Sequence, residues 1–281
     1  MPVGTIYHLD CCSMCPRSAR LVNGSGGWLE RGRMVAHCLL IESDSGLVLV
    51  DSGISALDVE RPERLPLAFR LALGADLSQT RPAIQQIEDL GLEPRDVQHI
   101  VVTHLDLDHA GGIADFPWAT VHVHSLELRA ARLRASRLDR ERYVPAQWGR
   151  HTNWSRYDDA GDRFFGLEAV RPLFQLSDDF ALVPLFGHTA GHSGVAVRSD
   201  SGWLLHAGDA YFHRGEMDSP PAGSPALNLF QRLVQRDGAA RLDNQRRLRG
   251  LRESHSGELT VFCAHDPVEF DALRAASGHA R

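Results

Sequence analysis

Residues 103–112, THLDLDHAGG, place two histidines and two aspartates within the six positions 104–109, directly after an apolar run. That run, 99–103, reads as a short buried strand, so the charged cluster begins where strand gives way to loop, the place where sites are commonly built. Extended backbone sends neighbouring side chains to opposite sides, which lets His104 and Asp106 converge. The turn after them can bring Asp108 and His109 round to face them. Two carboxylates pressed together without a cation repel and take up protons. Imidazole and carboxylate are ligands of zinc, iron and manganese, so the stretch reads either as part of a metal site or as a loop of solvated acids.

A metal site assembled across a fold leaves ligands at several strand ends, and the chain repeats the pattern. The apolar run 182–186 ends in GHTAGH, with His188 and His192. Residues 203–205 lead into HAGDAYFH, with His206, Asp209 and His213, and 259–263 end in AHD, with His265.

With these motifs in this order the chain resembles the metallo-β-lactamase superfamily of hydrolases, whose signature is HxHxDH, then GHTxGH, an isolated aspartate and a late histidine. The resemblance runs from VDSG at 50–53 to His265. It implies one metal held by His104, Asp106 and His188, another by Asp108, His109 and His265, and Asp209 bridging the two. It further implies that His192 is a supporting residue and that Asp51 orients a ligand histidine through its second ring nitrogen.

Position 106 departs from the pattern, because Asp106 stands where most of the family has histidine. The flavodiiron branch also has an acid there, a glutamate bound to iron. An oxygen ligand adds negative charge and hardens the site, turning its preference from zinc towards iron or manganese. Asp106 reads as a ligand, with a group beside a weak or empty site, or a spectator, as the alternatives. On the first reading, Asp106→His restores the common pattern and tightens zinc binding.

The 281 residues are 43% hydrophobic, enough for one sizeable core, and no linker interrupts them, so a single domain over 1–281 is expected. The net charge of -6 argues against a polyanion-binding protein. The arginines of 129–142 are interleaved with Asp139 and Glu141 at helical spacing and read as a solvated face rather than a phosphate track. The chain contains no lysine, which removes lysine nucleophiles and Schiff bases. The N-terminus lacks the basic and apolar segments of a leader, and no apolar run reaches the ~20 residues of a membrane span. A cytoplasmic protein without nucleic-acid or membrane partners is expected, with homodimerisation left open. An odd cysteine count of 5 fits a reducing compartment, and Cys11, Cys12 and Cys15 read as packed or surface thiols, a structural zinc or redox pair being the alternative.

Strands are expected near 5–9, 35–41, 46–50, 98–102 and 120–124, and again near 180–186, 195–198, 203–206 and 259–263. Thr80 can cap a helix with Ile84, Ile87 and Leu90 on one face and Gly91 as its stop. Leu126, Ala130 and Leu133 mark a second helix, and Leu242, Leu248 and Leu251 a third. Two groups of strands, each with helices for one face, suit an α/β architecture of packed sheets. The resemblance implies the same, an αββα sandwich of two mixed β-sheets flanked by helices, with metals along one edge.

Walls of a substrate pocket are expected from 54–77, with Phe69, and from 140–165, which holds Tyr143, Trp148, Trp154, Tyr157, Phe164 and Phe165; the latter read equally as a lid or as a satellite core. Two divalent metals, zinc first and iron or manganese at the site with Asp106, would activate water against a carbonyl. Asp108 could orient that nucleophile. The motif spacing is most similar to the N-acyl homoserine lactonase branch, which places a substrate-binding tyrosine three residues after the bridging aspartate; here Phe212 occupies that position, and Tyr211, one earlier, is taken as the candidate for the catalytic role. The expected function is hydrolysis of a lactone or related ester in a small-molecule substrate. An iron-dependent oxidoreductase, or a metal-depleted binding or regulatory protein, are the alternatives.

Overall fold

The computed structural model describes residues 3–72, 74, 77, 79–158, 161–170 and 172–278. Parts of both expected wall segments, at 73, 75 and 76 and at 159 and 160, lie outside the described residues. Six strands form the first sheet in sequence order: β1 (Ile6–Asp10), β2 (His37–Ser43), β3 (Gly46–Val50), β4 (Val97–Val101), β5 (Thr120–His124) and β6 (Trp154–Tyr157). Its first three strands run antiparallel and the rest join in parallel, so the sheet is mixed. A short hairpin, β7 (Asp162–Phe164) and β8 (Leu167–Ala169), leads to the second sheet. There β9 (Phe180–Pro184), β10 (Ser193–Ser199) and β11 (Gly202–His206) are antiparallel, and β12 (Leu259–Phe262) lies parallel to β11 at the edge.

Alternation along the strands divides the core into three layers. Leu39, Ile41, Val48, Val50 and Val101 point inward from the first sheet and meet Phe180, Leu182, Val195, Val197 and Phe262 from the second. Their neighbours Leu40, Leu49, Ile100 and Val121 face outward under the helices, against Ile87 and Leu128. On the far side, Val183, Leu205 and Val261 pack against Leu248 and Leu251 of the helix Gly238–Ser254. The expected αββα sandwich of two mixed β-sheets flanked by helices is the observed architecture.

Three helix expectations need correction. The first helix, Ala83–Asp89, starts after Pro82 instead of at Thr80, whose hydroxyl accepts the Ser13 N–H at 3.2 Å. In Ser125–Leu133 the period is helical but the face is turned: Leu128 and Ala131 are buried, while Leu126 and Leu133 are exposed. In Gly238–Ser254, Leu242 is exposed as well. Among the described residues no helix is long and apolar enough to cross a membrane. Cys11 and Cys12 sit in apolar clusters, and burial, then Asp108, pushes the Cys12 thiol well up.

Candidate metal centre

β4 ends at Val101, and the chain passes through the irregular segment 102–106 into the short helix Leu107–Ala110, which puts His104, Asp106, Asp108 and His109 at the same edge of the sandwich. The loops after β9 and β11 bring His188 and Asp209, and the loop after β12 brings His265. Ligand-type atoms of His104, His188 and Asp209 lie within 4.8 Å of one another, and so do those of Asp108, His109 and His265. All six residues are buried.

Asp209 stands between the two trios. Its Oδ2 faces His188 Nε2 at 3.3 Å and His104 Nε2 at 3.7 Å, while Oδ1 faces His265 Nε2 at 3.1 Å and His109 Nε2 at 3.3 Å. Asp108 Oδ2 lies 3.8 Å from His265 Nε2 and 4.0 Å from His109 Nε2. Ligands at about 2.1 Å from a tetrahedral zinc are about 3.4 Å apart, so these separations are close to the edges of ligand tetrahedra.

The hydrogen bonds behind the imidazoles decide which nitrogens are free. Thr103 Oγ1 donates to Asp51 Oδ2 at 2.8 Å, so its oxygen accepts from His104 Nδ1 at 2.9 Å. His109 Nδ1 donates to Asp51 Oδ2 at 2.8 Å, and His265 Nδ1 donates to the Val35 carbonyl at 2.8 Å. Each bond fixes the proton on Nδ1 and turns the Nε2 lone pair towards Asp209. The Nε2 atoms of His104 and His109 and Oδ1 of Asp209 are buried without a hydrogen-bond partner, an arrangement that two cations would satisfy. His192 is spent differently, with Nδ1 on the Leu185 carbonyl at 2.9 Å and Nε2 accepting the Asp209 N–H at 2.8 Å. It holds the Asp209 backbone. Gly208, at φ +53, makes this approach practicable, because a Cβ there would stand 2.6 Å from His192 Nε2.

Asp51 adopts φ 55, a left-handed backbone unusual outside glycine, with Oδ1 accepting the Thr103 N–H at 2.7 Å. Without cations, charge settles unevenly over the cluster. Burial opposes ionisation of Asp209, but His265, His109 and His188 outweigh it and hold the carboxyl well below its usual range. Burial likewise opposes the cation at His109, which Asp209, Asp108 and Asp51 nevertheless push well up. At His192, burial followed by His104 and His188 keeps the ring neutral.

Asp106 sits beside the first trio, with Oδ2 3.1 Å from His188 Nε2 and 3.5 Å from His104 Nε2. Its Oδ1 lies 3.5 Å from Arg142 Nε. Arg142 is a site residue that sequence reasoning missed. Arg129, Arg132, Arg137 and Arg140 form the expected solvated face, but Arg142 is buried. Glu127 was missed as well; it is buried and accepts from Leu105 N at 3.0 Å, Tyr143 Oη at 3.1 Å, Thr189 Oγ1 at 2.7 Å and Gly191 N at 3.0 Å.

A cavity of 170 Å³ opens on the cluster, reaching Asp106, Asp108, His188, Asp209 and His265. Its walls are apolar, from Met14, Met34, Phe69, Phe212, Phe230 and Val234. Larger cavities of 780 and 510 Å³ lie elsewhere, without such a convergence of ligand atoms. Phe69 supplies a wall as expected from 54–77, whereas the aromatic residues of 140–165 do not form a lid. Tyr143 and Trp148 pack under the first sheet and Phe164 in the second-sheet cluster, with Phe165 against it.

Tyr211 also needs correction. It is fully buried beneath the second sheet, with its hydroxyl 3.1 Å from both Glu269 oxygens, and Phe212 lines the cavity instead. Tyr211→Phe should therefore leave kcat and KM within about twofold of wild type while lowering stability by about 1 kcal/mol, the ordinary contribution of one hydrogen bond. Steady-state kinetics beside urea denaturation checks this; a large fall in kcat would return the hydroxyl to the reaction.

Residues 31–249 match the family described as the metallo-beta-lactamase superfamily. A Mycobacterium tuberculosis protein named probable metallo-hydrolase Rv2300c is 38% identical over 273 residues, 97% of this chain and 84% of that protein. The N-acyl homoserine lactonase AttM of Azorhizobium caulinodans is 30% identical over 70% of this chain and 68% of its own length. A crystal structure of a quorum-quenching N-acyl homoserine lactone lactonase shares the fold, at TM-score 0.68 and 19% identity, over 96% of this chain and 95% of that one. Sequence match, sandwich and ligand edge agree: the chain belongs to the metallo-β-lactamase superfamily, with metallo-hydrolases and lactonases among its relatives.

Proposed function

We propose that this protein is a dinuclear metal-dependent hydrolase that opens lactones or cleaves related esters. The observation that carries the reading is Asp209, whose two carboxylate oxygens face two separate pairs of histidine Nε2 atoms. Two divalent cations bound there would polarise a carbonyl oxygen and supply a nucleophilic water near neutral pH. His104, Asp106 and His188 would hold one and Asp108, His109 and His265 the other, with Asp209 available to both. On this assignment each position has two histidine nitrogens and two carboxylate oxygens, counting Asp209; that mixed set accepts zinc, and the oxygen that Asp106 supplies in place of an imidazole opens the first position to iron or manganese.

The remaining work falls to the protein. Asp51 and Thr103 keep His104 and His109 in the tautomer that leaves Nε2 unprotonated, and His192 fixes the Asp209 backbone. The apolar walls exclude bulk water and suit the hydrocarbon part of a small acyl substrate. Asp108, engaged towards a cation, is placed to orient a nucleophile but not to act as a free base. The lactonase names among the relatives support this substrate class.

Protein prepared with zinc, manganese and iron is expected to carry two ions per chain, one tightly held and one exchangeable. Tested on acyl lactones, aryl esters, thioesters and β-lactams, it should hydrolyse lactones or esters and lose that activity to a chelator. Turnover that resists chelation, or oxygen consumption without hydrolysis, would refute the proposal.

A further inference from the structure

Arg142 is buried and Asp106 is half-buried, its side chain 14% exposed, and charges so far withdrawn from water need partners. Arg142 Nε and Asp106 Oδ1 are 3.5 Å apart, and neither makes a hydrogen bond elsewhere. The other two ends of the guanidinium are committed to protein, with Nη1 on the His188 carbonyl at 3.2 Å and Nη2 on the Val234 carbonyl at 2.6 Å. Arg142 therefore borders the cavity without offering a fork to a substrate carboxylate. On its far side, Asp106 presents Oδ2 to His188 Nε2 and His104 Nε2.

Counting charge gives this row its meaning. A histidine at position 106, as in most of the family, would contribute a neutral ligand. Asp106 contributes one negative charge and Arg142 one positive charge, so the pair is neutral as well. The guanidinium also grips the His188 backbone, so the same side chain that steadies Asp106 steadies the loop that carries its neighbour.

We infer that Arg142 is a positioning residue: it cancels the charge of Asp106 and holds that carboxylate against His104 and His188, so that the two side chains together replace one neutral imidazole. The inference rests on the metal-site reading above. It also reverses the expectation that Asp106→His simply restores the family pattern. With Arg142 still in place, that variant buries an unpaired guanidinium beside two imidazoles and the cation they hold. Recovery requires both positions to change.

The test is a cycle of zinc-loaded variants: wild type, Arg142→Met, Arg142→Lys, Asp106→His, and Asp106→His with Arg142→Met. Ions per chain are measured by elemental analysis, and the affinity of the weaker ion by competition with a chromophoric chelator. Arg142→Met should loosen that ion by about 10- to 100-fold, the usual effect of removing a residue that supports a metal ligand, and Arg142→Lys by less. Asp106→His alone should also loosen it, while the double variant returns to within about threefold of wild type, a non-additivity expected of contacting residues.

Wild-type affinity in Arg142→Met, or a double variant no better than Asp106→His, would overturn the inference. If Arg142→Met is insoluble and the double variant soluble, the pairing is supported. If both are insoluble, Arg142 serves packing and the inference falls. Two ions in wild type without lactone or ester hydrolysis would remove the proposed function alone, whereas no ions in wild type would remove both.

Discussion

Asp209→Asn is expected to lose both metals and to lower lactone or ester turnover by about a thousandfold or more, equivalent to about 4 kcal/mol of barrier. The reason is geometric. Asp209 reaches both histidine pairs, at 3.1 and 3.3 Å through Oδ1 and at 3.3 and 3.7 Å through Oδ2. An amide keeps the shape but supplies one weak oxygen ligand and turns N–H groups towards one pair of imidazoles. Elemental analysis after dialysis, beside initial rates on the best lactone or ester, measures both effects. Two retained ions at wild-type affinity would remove Asp209 from its bridging place.

Glu127→Ala should produce the largest loss of stability, about 3–5 kcal/mol, because it strips a buried carboxylate from four donors at once. For a chain of this size that corresponds to a melting temperature lower by about 5–9 °C. Two donors, Thr189 and Gly191, belong to the GHTAGH loop, and a third, Leu105, to the HLDLDH loop. Gly191 fits this crossing because a Cβ there would stand 2.2 Å from the Glu127 nitrogen. The variant should therefore also loosen any ion held between His104 and His188. Urea denaturation of the metal-free and metal-loaded forms separates the two effects; a loss below about 1 kcal/mol in both would contradict this role.

What the sequence discloses about this protein follows from the reach of each signal. His104, Asp108, His109, His188, Asp209 and His265 each follow an apolar run, and ligand chemistry concentrated at strand ends can be seen without coordinates. The central strands are legible for the same reason, since Val48 and Leu49, or Ile100 and Val101, alternate between layers with the period of the pleat. β6 was missed because its residues, Trp154–Tyr157, are only partly buried at the edge of the sheet. Arg142 resembles its exposed neighbours in one-dimensional pattern; only the fold brings it to Asp106, 36 positions earlier in the chain. Glu127 is equally concealed, because its donors lie 16 to 64 residues away. The Tyr211 expectation failed by one position: neighbouring side chains part to opposite sides here, and Phe212 takes the cavity.

The neutral pair at Asp106 and Arg142 has an evolutionary consequence. If the pair acts as inferred, a lineage moving between histidine and aspartate at this position cannot do so by one substitution without passing through a form in which this position binds an ion weakly. Either charge alone is a liability, and the two codons behave as a single heritable unit. Relatives carrying histidine at 106 should therefore have released the arginine at 142, and those retaining aspartate should keep it, a joint distribution that a survey of natural sequences can score without purifying a protein.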